Sequence, residues 1–354
     1  MIQAAFSQKY RLQIRASRFP THLGNCPKRR RNWHSTSKPS PLRIPCCTTA
    51  PFIAAHQLFP SDSLILQTHA LHPLHPLHER LPLMVTGVLL NPMKTLTIAM
   101  QKGGSGKTTT AVNLAATLAE NGFRVLVVDV DPQSNATSWF GVTDAGKGLF
   151  ACLCENGGLT ATIRKTATAG VDIAASSPWL VGAEKALACE VGAETLLRRK
   201  LQSVAGTYDV ALVDTPPTLG VLTIGALVAA DEVLVPVETH VMALNGLAQL
   251  LTTVATVRER LNESLRILGI LACRVDARTR HALEVTEELG KRFPEEIFKT
   301  VIRENVRLAE APSFGQPITA YDGKSAGAED YRALAGEVLQ RWQWPSRKGV
   351  RHGA

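Results

Sequence analysis

Residues 101–109 read Gln101-Lys102-Gly103-Gly104-Ser105-Gly106-Lys107-Thr108-Thr109, with a short apolar run before them (96–100) and an amphipathic stretch after them (107–121). Consecutive glycines between a strand and a helix let backbone N–H groups turn inward onto phosphate oxygens, and the helix N-terminus adds partial positive charge. Lys107 is then placed to reach the β- and γ-phosphates, and Thr108 to offer a hydroxyl to Mg²⁺. A dinucleotide fingerprint is excluded, because Thr109 stands where its third glycine belongs. The strict GxxxxGK[ST] pattern is missed as well, since Gln101 takes its first glycine position and Lys102 lies just inside it. Two lysines flanking one loop carry more charge than one triphosphate needs from a single chain, so Lys102 is expected to point elsewhere.

Outward from the loop, short β-branched runs alternate with amphipathic stretches, the pattern of βα units around a parallel sheet. Strands are predicted near 96–100, 124–130, 171–174, 209–214, 232–237, 267–275 and 297–302. Several are apolar throughout, as expected of strands covered on both faces. Helices are predicted over 107–121, closed by Gly122, over 243–261, and over 328–344 with Tyr331, Leu334, Ala335, Val338 and Trp342 on one face. The polar side of that last helix mixes acids and bases, which points to packing and not to membrane binding. The expected fold class is α/β, a P-loop NTPase with a mostly parallel twisted sheet flanked by helices.

Two predicted strands end on acids: Val128-Asp129-Val130-Asp131-Pro132-Gln133 and Val213-Asp214-Thr215-Pro216-Pro217. In an open α/β sheet, ligands bind at the carboxyl ends of strands, so these carboxylates should converge on the glycine loop. Asp214 is expected to hold Mg²⁺ with Thr108, and Asp131 to orient or deprotonate an attacking water. Asp129 is expected to be structural or to stand behind the metal.

These motifs resemble the ParA family of partition ATPases, and especially its short, Soj-like chromosomal branch. The likeness covers nearly all of 93–344. It includes Asp129-Val130-Asp131-Pro132-Gln133-Ser134-Asn135-Ala136-Thr137, Asp214-Thr215-Pro216-Pro217, Asp276-Ala277-Arg278-Thr279 and Asn305-Val306-Arg307-Leu308-Ala309-Glu310-Ala311-Pro312-Ser313. The resemblance implies an ATP-dependent sandwich dimer in which Lys102 crosses to the partner's phosphates. It also implies non-specific binding of double-stranded DNA, with slow hydrolysis stimulated by a ParB-type partner. Arg278 and Arg307 match DNA-contacting positions, with Arg280, Lys291, Arg292 and Arg303 as possible neighbours. Asn305 matches an adenine contact, although Val301-Ile302-Arg303-Glu304-Asn305 departs from the family's Val-Ile-Pro-Arg-Asn. Nucleotide contacts are thus expected from Lys102, Gly103, Gly104, Ser105, Gly106, Lys107, Thr108, Thr109 and Asn305. Two other readings are a ParA-like ATPase that positions a non-DNA cargo and a MinD-like division-site ATPase. The second needs a basic amphipathic C-terminal helix, which the tail 345–354 does not offer.

The chain has 354 residues and a formal net charge of +9. Residues 1–92 hold 11 Lys+Arg, 2 Asp+Glu and 11 of the 20 prolines, which leaves 28 charges of each sign in the body. Bulk charge therefore says nothing for nucleic-acid binding by the body, and the claim rests on local patches. The leader is expected to be a disordered basic segment or translation from a start placed too far upstream, with Met93 opening directly onto the first strand. Seven cysteines without a CxxC pair or histidines at zinc spacing argue against a disulfide framework or zinc site. A cytoplasmic, nucleoid-associated protein is expected, with no membrane contact.

Overall fold

The computed structural model describes residues 93–239 and 241–347, and two short strands, Met84–Val85 and Val88–Leu89, that pair antiparallel. The rest of the expected leader lies outside the described residues. Among the described residues, one sheet holds eight strands: β1 (Lys94–Ile98), β2 (Val125–Asp129), β3 (Ile163–Lys165), β4 (Val171–Ala174), β5 (Val210–Asp214), β6 (Glu232–Glu238), β7 (Arg266–Val275) and β8 (Ile302–Arg303). Their order is β8-β7-β6-β1-β5-β2-β4-β3, parallel throughout except at the β3–β4 edge. Strands β2 and β5 are buried at every residue, as their apolar sequences demand of strands covered on both faces.

Helix α1 (Lys107–Glu120) follows β1 and packs most of its length into the core. It ends on a hydrogen-bonded reversal: Gly122 N–H donates to Ala119 O (2.9 Å) and Phe123 N–H to Leu118 O (3.3 Å). Gly122 has φ of +87°, which a side chain resists, and Phe123 closes the turn with a buried ring. The shorter α2 (Asn135–Trp139) follows β2, α3 (Val241–Arg260) follows β6, and α4 (Arg280–Arg292) follows β7. After β8 come α5 (Val306–Glu310) and α6 (Ala326–Trp342). Tyr331, Leu334, Ala335 and Val338 of α6 are fully buried, with Trp342 beside them, so the apolar stripe read from the sequence is a packing face. Beyond α6, Trp344 stacks on Phe123 (5.5 Å between centroids), and Arg347 pairs with Asp209 (3.1 Å).

Two strands differ from the sequence reading. β3 was not expected; its three residues are half-exposed, too short and too polar to show a strand period. The strand expected over 297–302 is only Ile302–Arg303, with Ile297 meeting Ile270 at a single bridge. Between them the Glu337 carboxylate accepts the N–H groups of Lys299 and Thr300 (both 3.0 Å), so these amides bond a side chain in place of a strand.

Candidate active site

The loop after β1 and the ends of β2 and β5 meet at one edge of the sheet. Register places Asp129 directly opposite Asp214, so the two acids predicted at strand ends are neighbours. Gly104 (φ +76°) and Gly106 (φ +92°) adopt the left-handed turns that a phosphate cradle requires, and Gly106 precedes the first residue of α1. A Cβ on Gly103 or Gly104 would meet nothing within 4 Å, so the concave side of the loop is open. It opens into a cavity of about 940 Å³ lined by Gly103, Gly104, Gly106, Lys107, Thr108 and Thr109. Asp131, Asn305 and Tyr331 also line it, a size suited to a nucleotide.

Lys107 is buried, and its Nζ donates to the Lys102 carbonyl (3.3 Å). Burial lowers its pKa, while the charges of Asp214 and Asp131 pull the other way. Asp214 is fully buried, and neither of its carboxylate oxygens has a hydrogen bond of good geometry. Desolvation, then the Asp129 charge, push its carboxyl well above the usual range; the nearby Thr108 hydroxyl and Lys107 oppose this. Such an orphaned carboxylate beside a hydroxyl is a donor set suited to a hard cation. Ser105, expected among the nucleotide contacts, has a buried hydroxyl with no partner and does not line the cavity, so only its backbone is left for that role.

Lys102 turns away from this cradle, as the charge argument required. Its Nζ pairs with Glu238 at the end of β6 (2.8 Å), and Glu238 also takes Arg274 (3.0 Å), itself held at φ +54°. Glu238 was missed from the sequence, where it directly follows the strand predicted over 232–237 and in the structure ends β6.

Asp131 sits on the turn into α2 and accepts Gln133 N–H at Oδ1 (2.9 Å). Asp129 is structural: it accepts Thr137 N–H (2.9 Å) and Thr137 Oγ1–H (2.7 Å) at Oδ2, and Asp131 N–H (3.1 Å) at Oδ1. Burial pushes its pKa up to about 7 against the pull of these donors.

The Asn305 side-chain oxygen caps α5 by accepting Leu308 N–H (3.1 Å), a use the sequence reading did not foresee. Its side chain still reaches the cavity wall. Arg303 is committed to Asp330 through Nε (2.9 Å) and Nη2 (2.6 Å) and also bonds Ala326 O (3.2 Å), so it is a poor DNA contact. Arg278 is 88% exposed and chelated by Asp276 (2.8 and 2.9 Å); Arg307 pairs with Glu310 (3.1 Å). Such solvent-screened pairs are weak, so a phosphate can displace the carboxylate. Lys291 and Arg292 are tied one helical turn back, to Glu287 and Glu288.

A family profile described as an AAA domain matches residues 93–267. The sporulation initiation inhibitor protein Soj of Bacillus subtilis is 46% identical over 69% of this chain and 98% of its own length. The chromosome-partitioning ATPase Soj of Thermus thermophilus is 47% identical over 71% and 97%. Among solved structures, cobyrinic acid a,c-diamide synthase from Mycobacterium smegmatis with bound ADP and magnesium superposes with a TM-score of 0.63. It is 32% identical and covers 71% of this chain and 96% of that one.

Proposed function

Because the chain belongs to the Soj/ParA family of chromosome-partitioning ATPases, we propose that it binds Mg²⁺ and ATP at the loop 101–109, dimerises on ATP and then holds DNA without sequence preference. Hydrolysis, slow until a ParB-type partner stimulates it, releases the DNA. The observation that carries this reading is the division of labour between the two loop lysines: Lys107 lies buried beneath the cradle, while Lys102 is turned outward onto Glu238.

Thr108 and Asp214 are the residues that would hold Mg²⁺, which when bound offsets phosphate charge; the remaining ligands would be phosphate oxygens and water. Lys107 neutralises charge on the β- and γ-phosphates. Asp131, with Oδ1 engaged by Gln133, directs its other oxygen to the attacking water. Asp131→Ala should bind ATP, accumulate the dimer and hydrolyse about 10²–10⁴-fold more slowly, as expected of losing a general base; single-turnover assays and size-exclusion chromatography check both.

Arg278 and Arg307 supply DNA contacts, one set from each subunit. No helix among the described residues is long and apolar enough to cross a membrane. The test is DNA retention by the full chain with ATP, ADP and no nucleotide at two salt concentrations. Residues 1–92 carry the net charge and set a background that the ADP arm measures. ATP-specific, salt-sensitive retention is expected, and retention indifferent to nucleotide removes the proposal. Arg278→Glu should weaken only the ATP-dependent part and lower the salt slope by about one to two per dimer, one counterion for each lost phosphate contact. Loss of the dimer in that variant would mark Arg278 as structural.

A further inference from the structure

The turn that carries Asp131 is held by a closed ring of hydrogen bonds. Starting at Asp129, Oδ1 accepts the Asp131 N–H (3.1 Å). The Asp131 carbonyl accepts the Ser176 hydroxyl (2.6 Å), and Ser176 N–H donates to Thr137 Oγ1 (2.9 Å). Thr137 Oγ1–H then donates to Asp129 Oδ2 (2.7 Å), closing the ring. Asp129, Asp131, Thr137 and Ser176 are all buried. Three segments are joined by it: the end of β2, the first turn of α2, and the residues just after β4.

Each hydroxyl has a distinct task. Thr137 donates to a carboxylate and accepts from a backbone amide, which valine can do neither of. Asp129 holds the N–H on one side of the Asp131 Cα, and Ser176 holds the carbonyl on the other, in the peptide unit to Pro132, so the Asp131 backbone is gripped on both sides by side chains. The Asp131 carbonyl also accepts Ser134 N–H (2.9 Å), so loss of the serine hydroxyl leaves it satisfied while freeing it to move. A catalytic carboxylate on an otherwise irregular turn needs such a frame, because sub-ångström displacement of a reacting group costs rate before it costs binding.

We propose that Thr137 and Ser176 are positioning residues for hydrolysis, acting through the Asp131 backbone. The proposal rests on the reading of Asp131 as the group that directs the attacking water. Neither side chain lines the nucleotide cavity, so nucleotide affinity should not depend on them.

The test uses the full chain with Thr137→Val, Thr137→Ser, Ser176→Ala, the Thr137→Val/Ser176→Ala double variant and Asp131→Ala. A fluorescent ATP analogue measures affinity, single-turnover assays measure the hydrolysis rate, and thermal melts check folding. Ser176→Ala keeps the test alive if Thr137→Val fails to fold. Thr137→Val and Ser176→Ala should each slow hydrolysis about tenfold or more, as misplacement of a catalytic group does, with affinity unchanged. Thr137→Ser should restore the rate to within about threefold, since it returns the hydroxyl. The double variant should be no slower than the slower single one, because a ring opens only once. Rates near the parent's in Thr137→Val and Ser176→Ala, with Asp131→Ala inactive, overturn the proposal and leave the Asp131 reading standing. Rate and affinity falling together also overturn it, marking general loosening. Normal hydrolysis by Asp131→Ala overturns the underlying reading and this proposal with it.

Discussion

Lys102→Ala is expected to bind ATP within about threefold of the parent, to lose the dimer, and to hydrolyse ATP about 10²–10³-fold more slowly, the usual cost of deleting one preorganised donor from a transition state. The geometry explains why binding survives. What Lys102 contributes to its own cradle is its carbonyl, which accepts the Lys107 ammonium, and alanine retains that carbonyl. Its side chain instead leaves the loop for Glu238 on β6, a carboxylate it shares with Arg274. In the proposed dimer that ammonium would exchange this carboxylate for the second subunit's phosphates. Equilibrium nucleotide binding, sedimentation with ATP and single-turnover hydrolysis separate the three effects. Normal hydrolysis by Lys102→Ala would mean that one chain completes the site alone.

Asp214→Asn is expected to make the nucleotide-free chain more stable near neutral pH, because a neutral amide removes the cost of ionising a buried carboxyl there. The same change should cut Mg²⁺-dependent hydrolysis roughly a hundredfold or more. The sign follows from proton linkage. Asp214 and Asp129 both have folded-state pKa values above their unfolded ones, so the folded chain holds these protons more tightly. Stability from this source is complete below the unfolded value near 3.8 and is lost as pH rises, for Asp129 through about 7. The parent's melting temperature without nucleotide should therefore fall over that window, and Asp214→Asn should fall less. An unchanged slope, or a less stable variant, would show that Asp214 is compensated by a contact other than bound cation.

Much of this site was legible in the sequence because it is built from residues adjacent in the chain to a strand end. A glycine loop, a lysine and an acid at the carboxyl edge of neighbouring parallel strands have to converge, and the Asp129–Asp214 register shows that they do. What stayed hidden depends on pairings distant in sequence. Glu238 is an ordinary strand-end acid until β6 is known to lie beside β1. Ser176 gives no sign of facing Asp131 until β4 is set against β2. The misplaced strand after residue 297 has the same origin, since nothing local announces that Glu337 will take its amides. Asn305 shows the limit of reasoning from motifs: the residue stands where expected, and its oxygen closes a helix.

The central position of β1 also has a cost in time. It is the first strand of the sheet to leave the ribosome, yet Lys94 pairs with Val210 and Leu96 with Glu232, both more than a hundred residues downstream. Until β5 and β6 have been synthesised, this central strand has no partner on either side and an apolar surface exposed to solvent or to other chains. Long-range parallel pairing of this kind folds slowly and passes through sticky intermediates. Refolding from denaturant should accordingly be slow, and its yield should drop with protein concentration, well before any question of nucleotide arises.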